Sequence, residues 1–228
     1  GHYNFLNALA AVEMAKKLGL DANEIKRGIE SIKPFGGRSQ IRKGRFTILE
    51  DCYNANPDSM EKAIELCSSV CTDDSAIGNA SARVQTGVNV GVSEEIAAGV
   101  SQKKHKKIFV LGDMLELGAL SKAEHEKIGA LAVKSGADLV VLIGDEMKAA
   151  FEKAKKILSE KGEQAENCHS EMAVVYISGK DENAIKAAAD KIKKVADSGD
   201  LILLKGSRGI GLERLIPLLE EKTAGEEK

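Results

Sequence analysis

The chain has 228 residues, enough for one large domain or for one domain with an appendage. With 43% hydrophobic and 30% charged residues and a net charge of -2, its composition is that of a globular protein, with no basic footprint for nucleic acid. No apolar run approaches the ~20 residues of a membrane span, no signal peptide is visible, and Cys52, Cys67, Cys71 and Cys168 form no C-x-x-C pair, so a cytoplasmic protein with reduced thiols is expected.

The opening GHYNFLNALAAVEMAKKLGL predicts a helix from Asn4 to Leu18, apolar nearly all round in its first half and therefore expecting a surface to pack against. Gly19 ends it. Asp21 and Glu24 have capping-box spacing for a second helix that carries Ile25, Ile29 and Ile32 on one face and stops at Pro34. Two helices of this size cannot form a core, and the chain lacks a starting methionine, so residues 1–35 read as the end of a preceding unit and the chain as a fragment. Phe35-Gly36-Gly37-Arg38 reads as a hinge, because two glycines after a proline-terminated helix free the backbone. A hairpin from Ser39 to Lys43 and from Arg45 to Asp51 follows, turning at Gly44.

EDCYNANPDSM, Glu50 to Met60, is the densest polar stretch of the chain. Asn56 suits a helix N-cap, Pro57 the first helical position and Asp58 the positive end of the helix dipole. Met60, Ala63, Ile64 and Cys67 then recur at i, i+3, i+4 and i+7, the stripe of an amphipathic helix. Strand, polar turn and helix put Asp51, Tyr53, Asn54 and Asn56 at a strand's carboxyl end, where open α/β sheets bind ligands. A plain reading makes the same residues a helix cap and no more.

From Thr72 to Lys107 the pattern dissolves into small and polar residues without an aromatic, so a disordered or loosely helical insertion is expected at 72–107. Order resumes with KIFVLG, Lys107 to Gly112, a buried parallel-type strand, then DMLELG and a capping box at Ser121 and Glu124. Further strands are expected at Leu139–Ile143, Ala173–Ser178 and Leu201–Leu204, separated by helices with apolar stripes. The last strand runs into Lys205-Gly206-Ser207-Arg208-Gly209-Ile210-Gly211, a glycine-rich turn opening a helix, whose N–H groups would suit a carboxylate or phosphate. Neither G-x-G-x-x-G nor G-x-x-x-x-G-K-[ST] is present. Alternating strands and helices predict an α/β fold, a Rossmann-like, doubly wound, mostly parallel sheet with an antiparallel edge hairpin.

YNANP-D-S-M, GDMLELG and LLKGSR stand in the order found in the Mur ligases, which the chain resembles over nearly its whole length outside 72–107. The resemblance implies that 36–228 form the family's Rossmann-like C-terminal domain, preceded by the helical end of its central ATP-binding domain. It implies an ATP-dependent, amide-forming ligase of peptidoglycan precursor synthesis, the member that adds D-alanyl-D-alanine to UDP-N-acetylmuramoyl-tripeptide through an acyl phosphate. The cofactors implied are ATP and Mg2+, with the Mg2+ ligands in the part of the central domain outside this chain, and a monomer is expected. By resemblance Asn4, Asn7, Arg38, Asp51 and Tyr53 lie on the nucleotide side. Asn54, Asn56, Asp113, Glu116, His125, Lys205, Ser207 and Arg208 lie on the substrate side. Two positions depart from the family pattern: Tyr3 replaces its histidine, with His2 one place early, and Cys52 follows Glu50 and Asp51 where a serine is usual. Because the phosphate loop is missing, the chain is not expected to be catalytically self-sufficient. The alternative is a free-standing Rossmann-like binding or interaction module.

Overall fold

Four of the strands are runs of β-branched and aliphatic residues long enough to be buried on both faces, which forces helices onto both sides of whatever sheet they build. A computed structural model describes residues 2–32, 36–70, 105–162 and 172–221, and in it this sheet has six strands in the order β1-β2-β6-β3-β4-β5. They are β1 (Gln40–Lys43), β2 (Thr47–Asp51), β3 (Lys107–Gly112), β4 (Leu139–Ile143), β5 (Ala173–Ile177) and β6 (Leu201–Lys205). β1 pairs antiparallel with β2, and every other pairing is parallel. The predicted sheet and its antiparallel edge hairpin are therefore observed.

α3 (Pro57–Ser69), α4 (Ser121–Lys134) and α5 (Met147–Gly162) cover one face. Met60, Ile64, Ile128, Ala132, Met147 and Ala150 pack there with Phe109, Leu111, Val140 and Leu203. α6 (Glu182–Val195) and α7 (Leu215–Glu220) cover the other, where Ile185, Ala188, Ile192, Leu215 and Leu219 meet Ile48, Val110, Val141 and Leu204. α4 and α5 cross closely at Gly129, where a Cβ would stand 2.1 Å from the carbonyl oxygen of Ala150. α1 (His2–Lys17) and α2 (Ala22–Glu30) precede the sheet, and the Asp21–Glu24 capping box forms as predicted. Phe5, Leu6, Leu9 and Met14 of α1 are exposed, so the surface expected to cover its apolar first half is not supplied by the described residues.

Three local expectations change. The predicted capping box at Ser121 does not form, because a short 3-10 turn at Gly118–Leu120 runs into α4 and leaves Leu120 and Ser121 already helical. Ser121 Oγ donates instead to Glu146 Oε2 at 2.6 Å. The glycine-rich turn after β6 passes through two 3-10 turns before α7 begins at Leu215. Its Ser207, Ile210 and Gly211 N–H groups are spent on Asp113 O, Ser207 O and Arg208 O, so the turn is no open anion nest at those positions. The expected insertion lies outside the described residues over 71–104, whereas His105 is buried and Lys107 begins β3.

Candidate functional site at the carboxyl ends of β2, β6 and β3

β6 lies between β2 and β3, and the helices after those two neighbours pack on the face opposite α7. Connections leaving adjacent parallel strands toward opposite faces open a crevice at the strand ends, the usual ligand position in such sheets. Three loops border it: Cys52–Asn56 after β2, Asp113–Leu117 after β3 and Gly206–Ser207 after β6.

Lys205 stitches the first of these to β6. It is only 2% exposed, and its Nζ lies 3.1 Å from Asp51 Oδ2 and donates to Asn54 O at 2.6 Å. Burial pushes the Lys205 amine below its ordinary pKa, and the Asp51 carboxylate opposes that shift. Asp51 Oδ1 also accepts from the Ser39 N–H at 3.0 Å, holding Ser39 at a φ of 47°. The Tyr53 N–H donates to Gly37 O at 2.9 Å, so the segment Gly37–Ser39 is strapped across the end of β2. Above this strap the guanidinium of Arg38 lies 4.5 Å from the centroid of the Tyr53 ring, and that of Arg208 lies 5.1 Å from it.

Ser207 closes the crevice floor toward β3. Its Oγ accepts from the Leu115 N–H at 3.0 Å and its N–H donates to Asp113 O at 3.0 Å. The Asp113 carboxylate is buried under Gly144, whose φ of 118° and lack of a Cβ leave it room. There Asp113 accepts from the Met147 N–H at 2.8 Å and caps α5. Burial raises its pKa, opposed by the amides of Met147 and Glu146. His125 is fully buried beneath the same loop. Its Nε2 faces the Met114 N–H at 3.0 Å and its Nδ1 faces Ser121 O at 2.7 Å, an arrangement that uses both ring nitrogens in a neutral imidazole with the proton on Nδ1.

The structure thus gathers Arg38, Asp51, Tyr53, Asn54, Asp113, Lys205, Ser207 and Arg208 around one crevice. Asn56 is spent as the α3 N-cap, its Oδ1 accepting from Ser59 N at 2.8 Å. Glu116 is exposed with a φ of 66°. Asn7 is exposed on α1, and the side chain of Asn4 lies outside the described residues. Two participants escaped the sequence reading. Ser39 acts through its backbone, which no side-chain pattern signals. Glu50 is buried and bonded to Arg42 Nε at 2.6 Å, a pair foreshadowed by opposite charges on the two hairpin strands.

Comparison with known proteins adds a family. The model for the Mur ligase, glutamate ligase domain, matches residues 84–208. The UDP-N-acetylmuramoyl-tripeptide--D-alanyl-D-alanine ligase of Treponema pallidum is 34% identical over 97% of the chain, and that of Bacillus subtilis is 29% identical over 97%. The chain spans 38% of the length of each of these relatives. A crystal structure of MurF from Acinetobacter baumannii, 26% identical, matches 97% of the chain with a TM-score of 0.64, using 38% of its own length. The MurF ligase of Thermotoga maritima, solved in complex with ADP, shares the fold at a TM-score of 0.57 and 21% identity, over 95% of this chain and 37% of its own. With a family match across more than half of its residues, the chain belongs to the Mur ligase family.

Proposed function

We propose that the chain is the C-terminal portion of the ligase that joins D-alanyl-D-alanine to UDP-N-acetylmuramoyl-tripeptide at the expense of ATP. The observation that carries the reading is the crevice at the switch point, where Asp51 and Lys205 join the ends of β2 and β6 and two guanidiniums lie over Tyr53. The relatives' names supply the substrates.

In this reading the tripeptide carboxylate attacks the γ-phosphate of ATP, giving an acyl phosphate and ADP. The amine of the dipeptide then adds to the acyl carbon, and the tetrahedral intermediate collapses to the amide and inorganic phosphate. Arg38, Asp51 and Tyr53 take the nucleotide side, with Asn4 and Asn7 of α1. Lys205, Ser207, Arg208, Asn54 and the Asp113–Glu116 loop frame the peptide side, where His125 and Asn56 hold the loops in place. Positioned cations answer the charge that develops during phosphoryl transfer. Mg2+ would be held in this reading by the part of the central domain outside this chain, and among the described residues no group of three His, Cys, Asp or Glu side chains could hold a metal ion. The sequence also contains no G-x-x-x-x-G-K-[ST] loop, so the 228 residues alone make no amide.

Amide formation and phosphate release, followed together, test this. The full-length protein should form product only with ATP, the UDP-linked tripeptide and D-alanyl-D-alanine all present, and Asp51→Ala should raise the KM for ATP about ten- to a hundred-fold. Turnover by purified residues 1–228, or a full-length protein that accepts no dipeptide, would overturn the proposal.

A further inference from the structure

Resemblance assigns Arg38 and Arg208 to different ligands, yet the structure puts both on one aromatic ring. Their guanidiniums lie 4.5 and 5.1 Å from the Tyr53 centroid, one from the strap before β1 and the other from the turn after β6. Both side chains are exposed, and among the described residues neither has a carboxylate partner. Asp51, at the end of the same strand, is already engaged by Lys205 and by the Ser39 amide. The Arg38 charge is felt at Lys205, where it helps to lower the amine's pKa. Tyr53 is itself fixed from below, with its N–H on Gly37 O and its Cβ 3.3 Å from where a Gly37 side chain would start. A planar cation resting on a ring keeps its N–H edge free, unlike one in a carboxylate pair.

We propose that Tyr53 is a positioning residue that presents Arg38 and Arg208 as a paired receptor for a single oxyanion, a phosphate-bearing group that bridges the two sides of the crevice. The inference rests on the crevice being the substrate site, and it changes the role of Arg208 from a peptide-side contact to a second hand on the same anion. The ring does not touch the anion. It removes the freedom of two long side chains before the ligand arrives, which leaves more of each charge-assisted hydrogen bond as net affinity.

The arginine Nε–H resonances of the isotopically labelled 228-residue chain, titrated with inorganic pyrophosphate, read the pairing directly without any turnover. The Arg38 and Arg208 signals should move along one saturation curve with one midpoint. Arg38→Gln or Arg208→Gln should each weaken that midpoint roughly tenfold, read from the remaining arginine, and the double variant, followed by the backbone amide signals of Gly37 and Tyr53, should lose little more than either single one. Tyr53→Phe should keep the common midpoint, whereas Tyr53→Leu should weaken it and split the two curves. Backbone amide spectra of each variant show whether the fold is kept. Separate midpoints in the parent chain, additive losses, no movement of either signal, or a common midpoint that survives in a folded Tyr53→Leu would each overturn the pairing. Loss of ligase activity in the full-length protein with the common midpoint intact would fault the substrate reading alone.

Discussion

Replacing Asp51 by alanine isolates what the buried pair contributes to the fold. Lys205 is 2% exposed and the Asp51 side chain 17%, so the variant leaves an ammonium in the interior with only the backbone oxygens of Asn54 and Asp51, at 2.6 and 3.4 Å. Removing one partner of a buried pair costs about 3–5 kcal/mol, and the partial exposure of Asp51 places this case near 3. For a chain of this size that is a fall in Tm of roughly 10 °C. The loss should also depend on pH in a definite direction. Burial already lowers the Lys205 pKa, and without Asp51 it falls further below the unfolded value of about 10.4. The unfolded state then binds more protons than the folded one between those two values, so the variant gains stability as pH rises through that window, while below it the penalty is complete. Urea denaturation followed by circular dichroism at about pH 7 and about pH 10 measures both effects. A loss smaller than about 1 kcal/mol, or one equal at the two pH values, would refute the account of this pair.

Three other outcomes follow from the packing. His125→Ala should cost about 3 kcal/mol in denaturant stability, since it strands the Met114 N–H and Ser121 O in the interior and opens a cavity; a change under about 1 kcal/mol would mean that water replaces the ring. Gly129→Ala should destabilise by about 1–3 kcal/mol despite alanine's better helix propensity, because the methyl would meet the Ala150 carbonyl, and an unchanged or raised midpoint would contradict the crossing of α4 and α5. The Cys52 and Cys67 thiols are pushed up to about 12, Cys52 by burial and then by Glu213 and Glu50, Cys67 by burial. Their thiolate fraction at pH 8 is about 10⁻⁴, so peptide mapping after alkylation should find both unmodified in the native chain and both modified in urea.

Much of the sheet was legible because its strands announce themselves chemically. KIFVLG and LVVLI are continuous apolar runs of the right length, and the Asn56-Pro57 start of α3 combines a side-chain acceptor with a residue that needs no N–H partner. Ser121 misled because a capping box is a local pattern, while the preceding 3-10 turn, set by the loop after β3, had already made the backbone helical. Strand order was not readable at all, since β3, β4, β5 and β6 are all apolar runs and nothing local says that β6 inserts between β2 and β3. Without that insertion Lys205 has no reason to meet Asp51, nor Arg208 to meet Tyr53. The polar residues of the site could be named from their segments, but their partners depend on pairings about 150 positions apart.

The place of β6 also sets an order of events during synthesis. The last of the six described strands sits in the middle of the sheet, bonded on one side to Thr47–Asp51 and on the other to Lys107–Leu111. A growing chain can close the β1–β2 hairpin and align β3, β4 and β5, but among the described strands these two halves share no pairing until Leu201–Lys205 has left the ribosome. Until then Ile48, Leu49, Ile108 and Phe109, all buried at the end, stay bare along two open strand edges. Assembly of this domain is therefore a late, nearly all-or-none step, and a stop codon anywhere before residue 201 removes the keystone of the sheet rather than trimming its rim.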